Sequence, residues 1–331
     1  MSPAKDGLIV VAGAGGFIGG HLVASLRRQG FTRIRPVDIK PFDQWHQCYD
    51  DAENLQLDLR ERDNCVWACH DAVEVYNLAA DMGGMNFIAH NKTLCMLSVL
   101  INTHMLMAAR DAGAYRYFYA SSSCVYNTDR ENCRDGHAIV ESDAYPAMPQ
   151  DGYGWEKLFS ERMCRHFRED FGLETRVGRP HSVYGPHCTW EGPRTMAPAA
   201  FCRQILEAKY GGRSAIEIWG DGEQARSFTW IGDCVHGIDL VAHGDCPDPL
   251  NIGISGVATV NELVTIIERI AGIRVTRRYD PQGPVGVRGC NLDNAGIRDR
   301  FGWEPSTQLC DGMVETYRWV HDAYAKKHGV L

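Results

Sequence analysis

A glycine-rich turn near the N-terminus places the strongest constraint on how this chain can fold. The apolar run Leu8 to Val11 is followed by Gly13, Gly16 and Gly19, and apolar residues recur at helical spacing through Phe17 to Gln29. This pattern predicts a buried strand, a tight turn and a helix. Glycines at this spacing let a ligand approach the backbone where the helix begins.

Later apolar runs repeat the alternation of strand and helix. We predict strands over Ile34 to Val37, Val73 to Leu78 and Tyr115 to Ala120, and the clearest intervening helix over Met96 to Ala112. Strands that alternate with helices indicate the α/β class, with a Rossmann-type, doubly wound parallel sheet. Ligands of such a sheet lie at the carboxyl ends of its strands.

An acidic residue after the second predicted strand, together with the glycine turn, predicts that the chain binds NAD. Asp38 ends the second predicted strand, where its carboxylate can accept hydrogen bonds from ribose hydroxyls and repel the 2′-phosphate of NADP. Asp58 is a candidate adenine contact, with a helix-capping role as an equally weighted alternative. The predicted cofactor-binding residues are Gly13, Gly15, Gly16, Phe17, Ile18, Gly19, Asp38, Asp58, Leu78, Ala79, Ala80, Tyr153 and Lys157.

The composition of the sequence changes after about Arg179, where loops rich in glycine and proline begin. We predict an NAD-binding Rossmann domain over residues 1–180, with a returning segment near 228–250. Residues 181–331 are predicted to form mainly a smaller α/β substrate-binding domain. Late amphipathic helices are predicted over Asn261 to Ala271, with Asn261 or Thr259 as the cap, and over Val314 to Ala325.

Composition argues against several classes of function. The formal net charge of −8 disfavours a general nucleic-acid binder, which would neutralise phosphates with Lys and Arg. The N-terminus lacks a signal-like apolar region and the run that begins at Leu8 is too short to span a bilayer, so we expect a cytoplasmic protein without a membrane partner. The 13 cysteines are scattered without a CxxC pair or zinc-like Cys/His spacing, which favours reduced thiols and no metal site.

A tyrosine and a lysine lie one helical turn apart in Tyr153-Gly-Trp-Glu-Lys157, so they share one helix face. The lysine cation and the positive nicotinamide of NAD would lower the phenol pKa and let Tyr153 act as a base near neutral pH. The run Ser121-Ser-Ser123 closes a predicted strand, so Ser122 or Ser123 can hold a substrate oxygen against Tyr153. Without the glycine motif and the serine run, an exposed helix pair would be the better interpretation.

Together these motifs resemble the extended short-chain dehydrogenase/reductase family, and the resemblance covers essentially the whole chain. That family includes nucleotide-sugar epimerases and dehydratases. A narrower set of segments is similar to the GDP-mannose 3,5-epimerases: residues 78–85, 120–126, 197–203, 219–222, 226–229 and 286–289. The resemblance implies an NAD-dependent isomerase that epimerises a nucleotide sugar, GDP-mannose in that family, at C3 and/or C5 through a transient 4-keto intermediate.

In the resembled family, the cysteine that matches Cys124 is an acid/base for the sugar carbons. Oxidation of C4 to a ketone acidifies the hydrogens on C3 and C5, because the carbanion left behind is delocalised as an enolate. A thiolate at Cys124 could remove one of them if nearby positive charge lowers its pKa. Taken alone, a cysteine at a strand end is more often a small apolar filler. The predicted catalytic residues are Tyr153, Lys157, Cys124, Ser122 and Ser123.

The family pattern breaks at the acid/base partner of this cysteine. The family's lysine is replaced by Met196, which has no exchangeable proton. His181, Ser123, His187 or a bound water could stand in for it. His181 is attractive because histidine titrates near neutral pH, and a hydrogen-bonded spacer is at least as good an interpretation of it.

Three further positions depart from the family pattern. Ser182 replaces an asparagine, and Glu191 and Gln204 each replace a lysine, in loops expected near the diphosphate or the sugar. Arg226 and Arg288 remain to bind a diphosphate bidentately. The predicted substrate-binding residues are Gly83, Gly84, Met85, His181, Ser182, Met196, Ala197, Arg226 and Arg288.

Three functions stay open on the sequence. A 3- and/or 5-epimerase would use Tyr153 and Cys124, whereas a 4-epimerase of a nucleotide hexose or heptose would need Tyr153 only. A non-catalytic protein that binds NAD or a nucleotide sugar is the third. We expect a nucleotide-diphosphate sugar as the partner molecule. The family resemblance also implies a homodimer through paired helices, here Met96 to Ala112 and Gly154 to Phe171.

Overall fold

The first strand shows why a core forms on both faces of the sheet. Strand β1 (Leu8–Ala12) is apolar and buried throughout, and its side chains alternate between the two faces. Ile9 and Val11 pack into one core, whereas Val10 and Ala12 pack into another. Helices must therefore cover both faces. The structure, a computed structural model, describes residues 5–131, 138–213, 215–284, 286 and 288–330.

The elements alternate along the chain. The remaining described strands are β2 (Ile34–Asp38), β3 (Leu55–Gln56), β4 (Ala72–Asn77), β5 (Arg116–Ala120), β6 (Glu174–Pro180), β7 (Ala215–Trp219), β8 (Ala225–Arg226), β9 (Leu250–Ile252), β10 (Ala258–Thr259), β11 (Thr276–Asp280) and β12 (Gly289–Cys290). The described α-helices are α1 (Phe17–Arg28), α2 (Arg62–Cys69), α3 (Met85–His90), α4 (Lys92–Met96), α5 (Ser98–Asp111), α6 (Thr128–Glu131), α7 (Asp151–Phe171), α8 (Ala197–Tyr210), α9 (Ile231–His243), α10 (Val260–Ala271), α11 (Ala295–Phe301) and α12 (Leu309–His328).

Seven strands in the described ranges form one parallel sheet, in the order β3-β2-β1-β4-β5-β6-β9. The strand order reverses between β1 and β4, where a crevice opens at the carboxyl ends of the strands. Because β1 pairs with both β2 and β4, Gly13, Asp38 and Leu78 reach the same edge of the sheet. The predicted α/β class with a Rossmann-type, doubly wound sheet is confirmed.

The second half of the chain contributes both to this sheet and to a separate core. Strand β9 pairs with β6, and α9 packs Ile231 and Ile238 into the core beside α1. Helices α8, α10 and α12 enclose a third core, separate from the two on the faces of the sheet, around Ile205, Leu263 and Val320. Two small sheets, β10-β8-β12 and β11-β7, accompany it. The domain boundary at residue 180 stays a prediction.

Two helix predictions can be compared with the structure directly. Thr259 caps α10, since its hydroxyl accepts the N–H of Glu262 and the Glu262 carboxylate accepts the N–H of Thr259. The helix predicted from Met96 begins earlier, at Lys92, and is divided at Leu97 into α4 and α5. Lys92–Asp111 is long and apolar enough to cross a membrane, but 44% of its most apolar 18-residue window is buried in the protein. Core helices of soluble proteins can have the same length and composition.

A half-buried histidine at the end of α9 makes stability depend on pH. His243 lies between Asp239 (Nδ1 to Oδ1, 3.1 Å) and the buried Glu74 (Nε2 to Oε1, 3.4 Å). Burial alone would lower the pKa of His243, but the two carboxylates outweigh it and raise the pKa to about 9. The folded protein therefore holds this proton more tightly than the unfolded chain. This stabilisation is fully present below about pH 6.5 and is lost as the pH rises through about 9.

We predict that His243→Gln lowers the free energy of unfolding by up to about 3 kcal/mol at pH 6, and that this deficit shrinks towards pH 10. Urea titrations of both proteins at several pH values measure it. The exposed pair His166–Glu169 gives the control variant His166→Gln, which should cost under about 0.5 kcal/mol at every pH. A deficit that is constant between pH 6 and 10 would contradict a role for the His243 proton.

Candidate active site

The glycine turn after β1 holds the start of α1 against a neighbouring strand end. Gly13 has φ +83°, and a methyl group added there would lie 2.9 Å from the backbone of Leu78 and Ala79. A methyl group on Gly19 would overlap the Gly13 carbonyl oxygen. Helix α1, described in full, has Gly16 as its N-cap and no side-chain cap, so its first N–H groups can bind an anion. The turn and residues 78–80 thus form a cradle that fits the pyrophosphate of NAD.

Two residues that the sequence did not predict complete this cradle. The Lys40 ammonium donates to the Gly15 carbonyl oxygen (3.2 Å), and its backbone N–H donates to Asp38 Oδ1 (3.0 Å). The Trp45 indole donates to the Lys40 carbonyl oxygen (2.9 Å) and lies 2.7 Å from a methyl group added to Gly15. Lys40 could have been found as the cation two residues after Asp38. Trp45 could not, because its position depends on the fold of the loop.

Asp58 has a different partner from either of those predicted. Its carboxylate binds the Arg60 guanidinium (Oδ2 to Nη2, 2.6 Å), and the hydrogen bonds from Arg60 hold the Asp58 pKa below its usual range. It does not cap α2, whose N-cap is Glu61. Its contact with adenine stays a prediction. Phe17 and Ile18 open α1 and pack against the core, which leaves their backbone as the part that faces the turn.

Helix α7 brings the predicted tyrosine and lysine to the end of β5. The Lys157 ammonium donates to the Ala120 carbonyl oxygen (2.9 Å) and lies 5.7 Å from the centre of the Tyr153 ring. The Ser122 hydroxyl hydrogen-bonds the Tyr153 phenol. Ser123, half-buried, begins the next turn. The structure therefore brings Ser122, Tyr153 and Lys157 together at the carboxyl edge of the sheet.

The acidity of the tyrosine differs from the sequence-based prediction. Burial raises the pKa of the Tyr153 phenol, and the Cys124 thiol and the Glu156 carboxyl act in the same direction. Burial also lowers the pKa of Lys157, which the Glu156 carboxylate partly offsets. In the protein alone the net shift of the Tyr153 pKa is therefore upward, opposite to the direction predicted from Lys157, and burial is its largest cause. The positive nicotinamide of NAD is the further charge that can favour the phenolate.

Cys124 packs in the same cluster as Tyr153. It lies in the 3₁₀ turn Ser123–Val125, is half-buried, and packs in one apolar cluster with Tyr153 and Cys95. A methyl group on Gly154 would overlap the Cys124 carbonyl oxygen, so glycine at this position lets α7 approach the turn. A thiol and a phenol are thus placed to act on neighbouring atoms of one substrate.

A buried ion pair fixes α7 against the sheet. Arg179 donates to both carboxylate oxygens of Glu161 (2.8 and 2.7 Å), and the two side chains are at most 4% exposed. The Ser121 hydroxyl donates to the same carboxylate (2.5 Å), and Arg179 also donates to the Tyr126 hydroxyl (3.2 Å). The first serine of the run is therefore structural. Sequence reasoning missed this pair, whose partners come from different elements.

The loop after β4 meets the segment that precedes α8. The Gly84 N–H donates to the Arg194 carbonyl oxygen (3.2 Å), and the Arg194 guanidinium binds Asp81 (3.0 Å). A methyl group on Gly84 would lie 3.7 Å from the Met196 Cα. The structure thus brings together four predicted substrate residues from the two segments: Gly83, Gly84, Met196 and Ala197.

Neither histidine proposed as the missing proton donor is well suited to that role. His181 is fully buried and hydrogen-bonded to Asn251, and burial lowers its pKa to about 3, so it is neutral near pH 7. His187 packs edge-on against His21 of α1, and burial lowers its pKa as well. Ser182 has φ +36°, in the left-handed region that asparagine adopts more readily than serine. This backbone conformation therefore explains why asparagine is usual at this position in the resembled family.

The two predicted diphosphate arginines lie beside neighbouring strands. Arg226 belongs to β8, and Arg288 directly precedes β12, which pairs with β8 in parallel. Arg288 is exposed and forms an ion pair with Asp221 (3.0 Å), while Arg226 donates to the Ala225 carbonyl oxygen (2.7 Å). Their guanidinium groups thus come from one small sheet. Binding of a diphosphate by both stays a prediction.

The other two departures from the family pattern have partners in the second half of the chain. Glu191 is exposed and forms an ion pair with Lys327 of α12. The Gln204 side chain bonds the backbone of Glu217 in β7, accepting its N–H at 2.8 Å. Both residues make contacts within the second half of the chain. Their effect on the charge near the diphosphate stays a prediction.

Known proteins of one enzyme family are similar to this chain over nearly its whole length. The model of the NAD-dependent epimerase/dehydratase family matches residues 9–253. The chain is 41% identical to GDP-mannose 3,5-epimerase 1 of Oryza sativa subsp. japonica over 98% of this chain and 84% of that protein. It is 39% identical to GDP-mannose 3,5-epimerase of Arabidopsis thaliana, over 98% and 85%.

Solved structures with the same fold carry nucleotide sugars and NAD. MoeE5 in complex with UDP-glucose and NAD has a TM-score of 0.79 and 28% identity, over 96% of this chain and 100% of that one. UDP-glucose 4-epimerase of Thermotoga maritima, solved with UDP-glucose, has a TM-score of 0.85 over 96% and 99%, and its 22% identity supports the fold alone.

Proposed function

The chain belongs to the NAD-dependent epimerase/dehydratase family, and from this premise we propose that it epimerises the sugar of GDP-mannose at C3, C5 or both through a transient 4-keto intermediate. The observation that carries the proposal is the packing of Tyr153 and Cys124 in one cluster. A base for the C4 hydroxyl and a base for a neighbouring carbon are both needed for this reaction. The relatives named GDP-mannose 3,5-epimerase, at 39–41% identity, support the choice of substrate.

The reaction divides between the two bases. Tyr153, held by Ser122, accepts the proton of the C4 hydroxyl as hydride leaves C4. NAD held by the glycine turn and Asp38 would supply the hydride acceptor and donor for C4 and would be regenerated in each turnover. The Cys124 thiolate removes a proton from C3 or C5 of the ketone. A bound water then donates a proton to the opposite face of the enolate, which inverts that carbon, and the Cys124 thiol releases its proton to solvent. Tyr153 finally returns its proton to the C4 oxygen.

Met196 favours a second candidate. At the position where relatives place the second acid/base, its thioether can neither donate nor accept a proton, and both histidine substitutes are poorly suited. A 4-epimerase needs only Tyr153, because the 4-keto sugar rotates and receives its hydride on the other face. The two candidates differ in one observable: only enolisation exchanges a carbon-bound hydrogen with solvent.

We predict that the protein incubated with NAD and GDP-mannose in D₂O incorporates deuterium at C3 or C5. Cys124→Ala should slow this uptake at least about 100-fold, because it removes the base that enolises the ketone. NMR of the recovered nucleotide sugar locates the label. The exposed cysteine Cys48 provides the matched control, since Cys48→Ala should leave uptake unchanged.

The other outcomes separate the candidates. A product inverted at C4 without deuterium would contradict enolisation and support the 4-epimerase. A panel of nucleotide hexoses and heptoses, run in parallel, tests whether another sugar is the substrate. No turnover and no cofactor reduction on any of them would support a protein that binds without catalysis.

We also infer a homodimer through the helices beside the site. Met96, Leu100, Trp155 and Phe159 lie on α4, α5 and α7, which pack together, and each side chain is 40–52% exposed. Apolar surface of this kind on neighbouring helices is typical of a protein interface. The paired helices of a second copy would cover it, since a twofold dimer places the same surface on both subunits.

Phe159→Glu should convert the dimer to a monomer, because two carboxylates would be buried at the centre of the interface. Light scattering after gel filtration measures the molar mass. Trp67→Glu changes an equally exposed aromatic residue on α2 and should leave the dimer intact. A wild-type protein that is monomeric at micromolar concentration would refute the interface.

A further inference from the structure

Gln150 is tied to both catalytic segments through its backbone. It directly precedes α7, and its N–H donates to the Cys124 carbonyl oxygen (3.0 Å). Its own carbonyl oxygen accepts the N–H of Gly154 (2.9 Å), next to Tyr153. These bonds fix the backbone of Gln150 relative to Cys124 and to the start of α7, where Tyr153 lies.

The side chain of Gln150 points to a place where three other segments meet. Its Nε2 lies 3.9 Å from the Met85 thioether. A methyl group added to Gly286 would lie 3.3 Å from this Nε2, 3.2 Å from Met85 Cε and 3.3 Å from an Arg226 Nη2. Gly286 has φ +66°, so glycine suits this position both in conformation and in space. The Gln150 amide thus lies between the segment of Cys124 and Tyr153 and the guanidinium of Arg226, a predicted diphosphate-binding residue.

The amide of Gln150 retains its hydrogen-bonding capacity. Among the residues that the structure describes, its side-chain oxygen has no hydrogen-bond partner, and its nitrogen contacts only the weak thioether acceptor of Met85. The residue is half-buried, so a bound ligand would shield this group from water. A side-chain amide offers two N–H donors and one carbonyl acceptor, which matches a sugar hydroxyl that both donates and accepts.

We propose that Gln150 binds a hydroxyl of the hexose ring and holds the sugar between Cys124 and Arg226. This inference rests on the proposed function, since it assumes a nucleotide hexose in the pocket. The amide carries no titratable proton near neutral pH, so its part is to orient the ring while Tyr153 and Cys124 move protons. Met196, the N-cap residue of α8, has a thioether side chain that cannot replace these hydrogen bonds.

Binding of GDP and of GDP-mannose to the NAD-loaded enzyme separates a sugar contact from every other role. We expect Gln150→Leu to weaken GDP-mannose binding roughly tenfold and to change GDP binding less than about twofold in calorimetric titrations. Gln150→Asn, which keeps the amide but shortens its reach, should show the same selective loss. Gln308→Leu, a change of the same type at an exposed glutamine near α12, is the matched control and should alter neither affinity.

Each other outcome has one meaning. Equal weakening of GDP and GDP-mannose would overturn the proposal, because the residue would then act on the diphosphate or on the fold. Unchanged binding of GDP-mannose by both variants would overturn it as well. If the wild-type enzyme binds GDP-mannose no more tightly than GDP and does not turn it over, the proposed substrate fails and this inference falls with it.

Discussion

The bidentate ion pair between Glu161 and Arg179 is the contact on which the arrangement of the site depends. Burying two charges is costly, and the cost is recovered only when the geometry is good and the remaining hydrogen-bonding capacity is used. Both conditions hold here, because Ser121 and Tyr126 bond the same two side chains. The pair joins α7 to β6, and Ser121 joins it to the end of β5. The distances between the serine, tyrosine, lysine and cysteine of the site follow from that attachment.

The cofactor-binding residues and the substrate-binding residues differ in how closely they follow the family pattern. The cofactor side keeps it, with a glycine turn that only residues without a side chain can form and an acidic residue at the end of β2. The substrate side keeps its glycine loop and its arginines but has Met196 in place of a proton carrier. A first oxidation at C4 is therefore well supported by the residues present. The step that follows depends on Cys124 and on how the sugar is held.

The sequence predicts best those features that depend on local pattern. The strand, turn and helix around Gly13 follow from glycine spacing and apolar periodicity, and the Thr259 cap follows from a short motif. Features set by tertiary burial could not be predicted. The pKa of Tyr153 rises because the fold removes water from the phenol, a fact that the spacing to Lys157 does not contain. Gln150 likewise becomes a candidate only when distant segments close around its amide.

We infer that C4 of a nucleotide sugar is oxidised and then re-reduced by the same enzyme-bound cofactor. The most direct test supplies GDP-mannose deuterated at C4, with unlabelled NADH in the solution, and follows the label by mass spectrometry. We expect the epimerised product to keep its deuterium at C4, and turnover to show a primary isotope effect if hydride transfer limits the rate. Epimerised product that has lost this deuterium to solvent or to the free cofactor would contradict this inference.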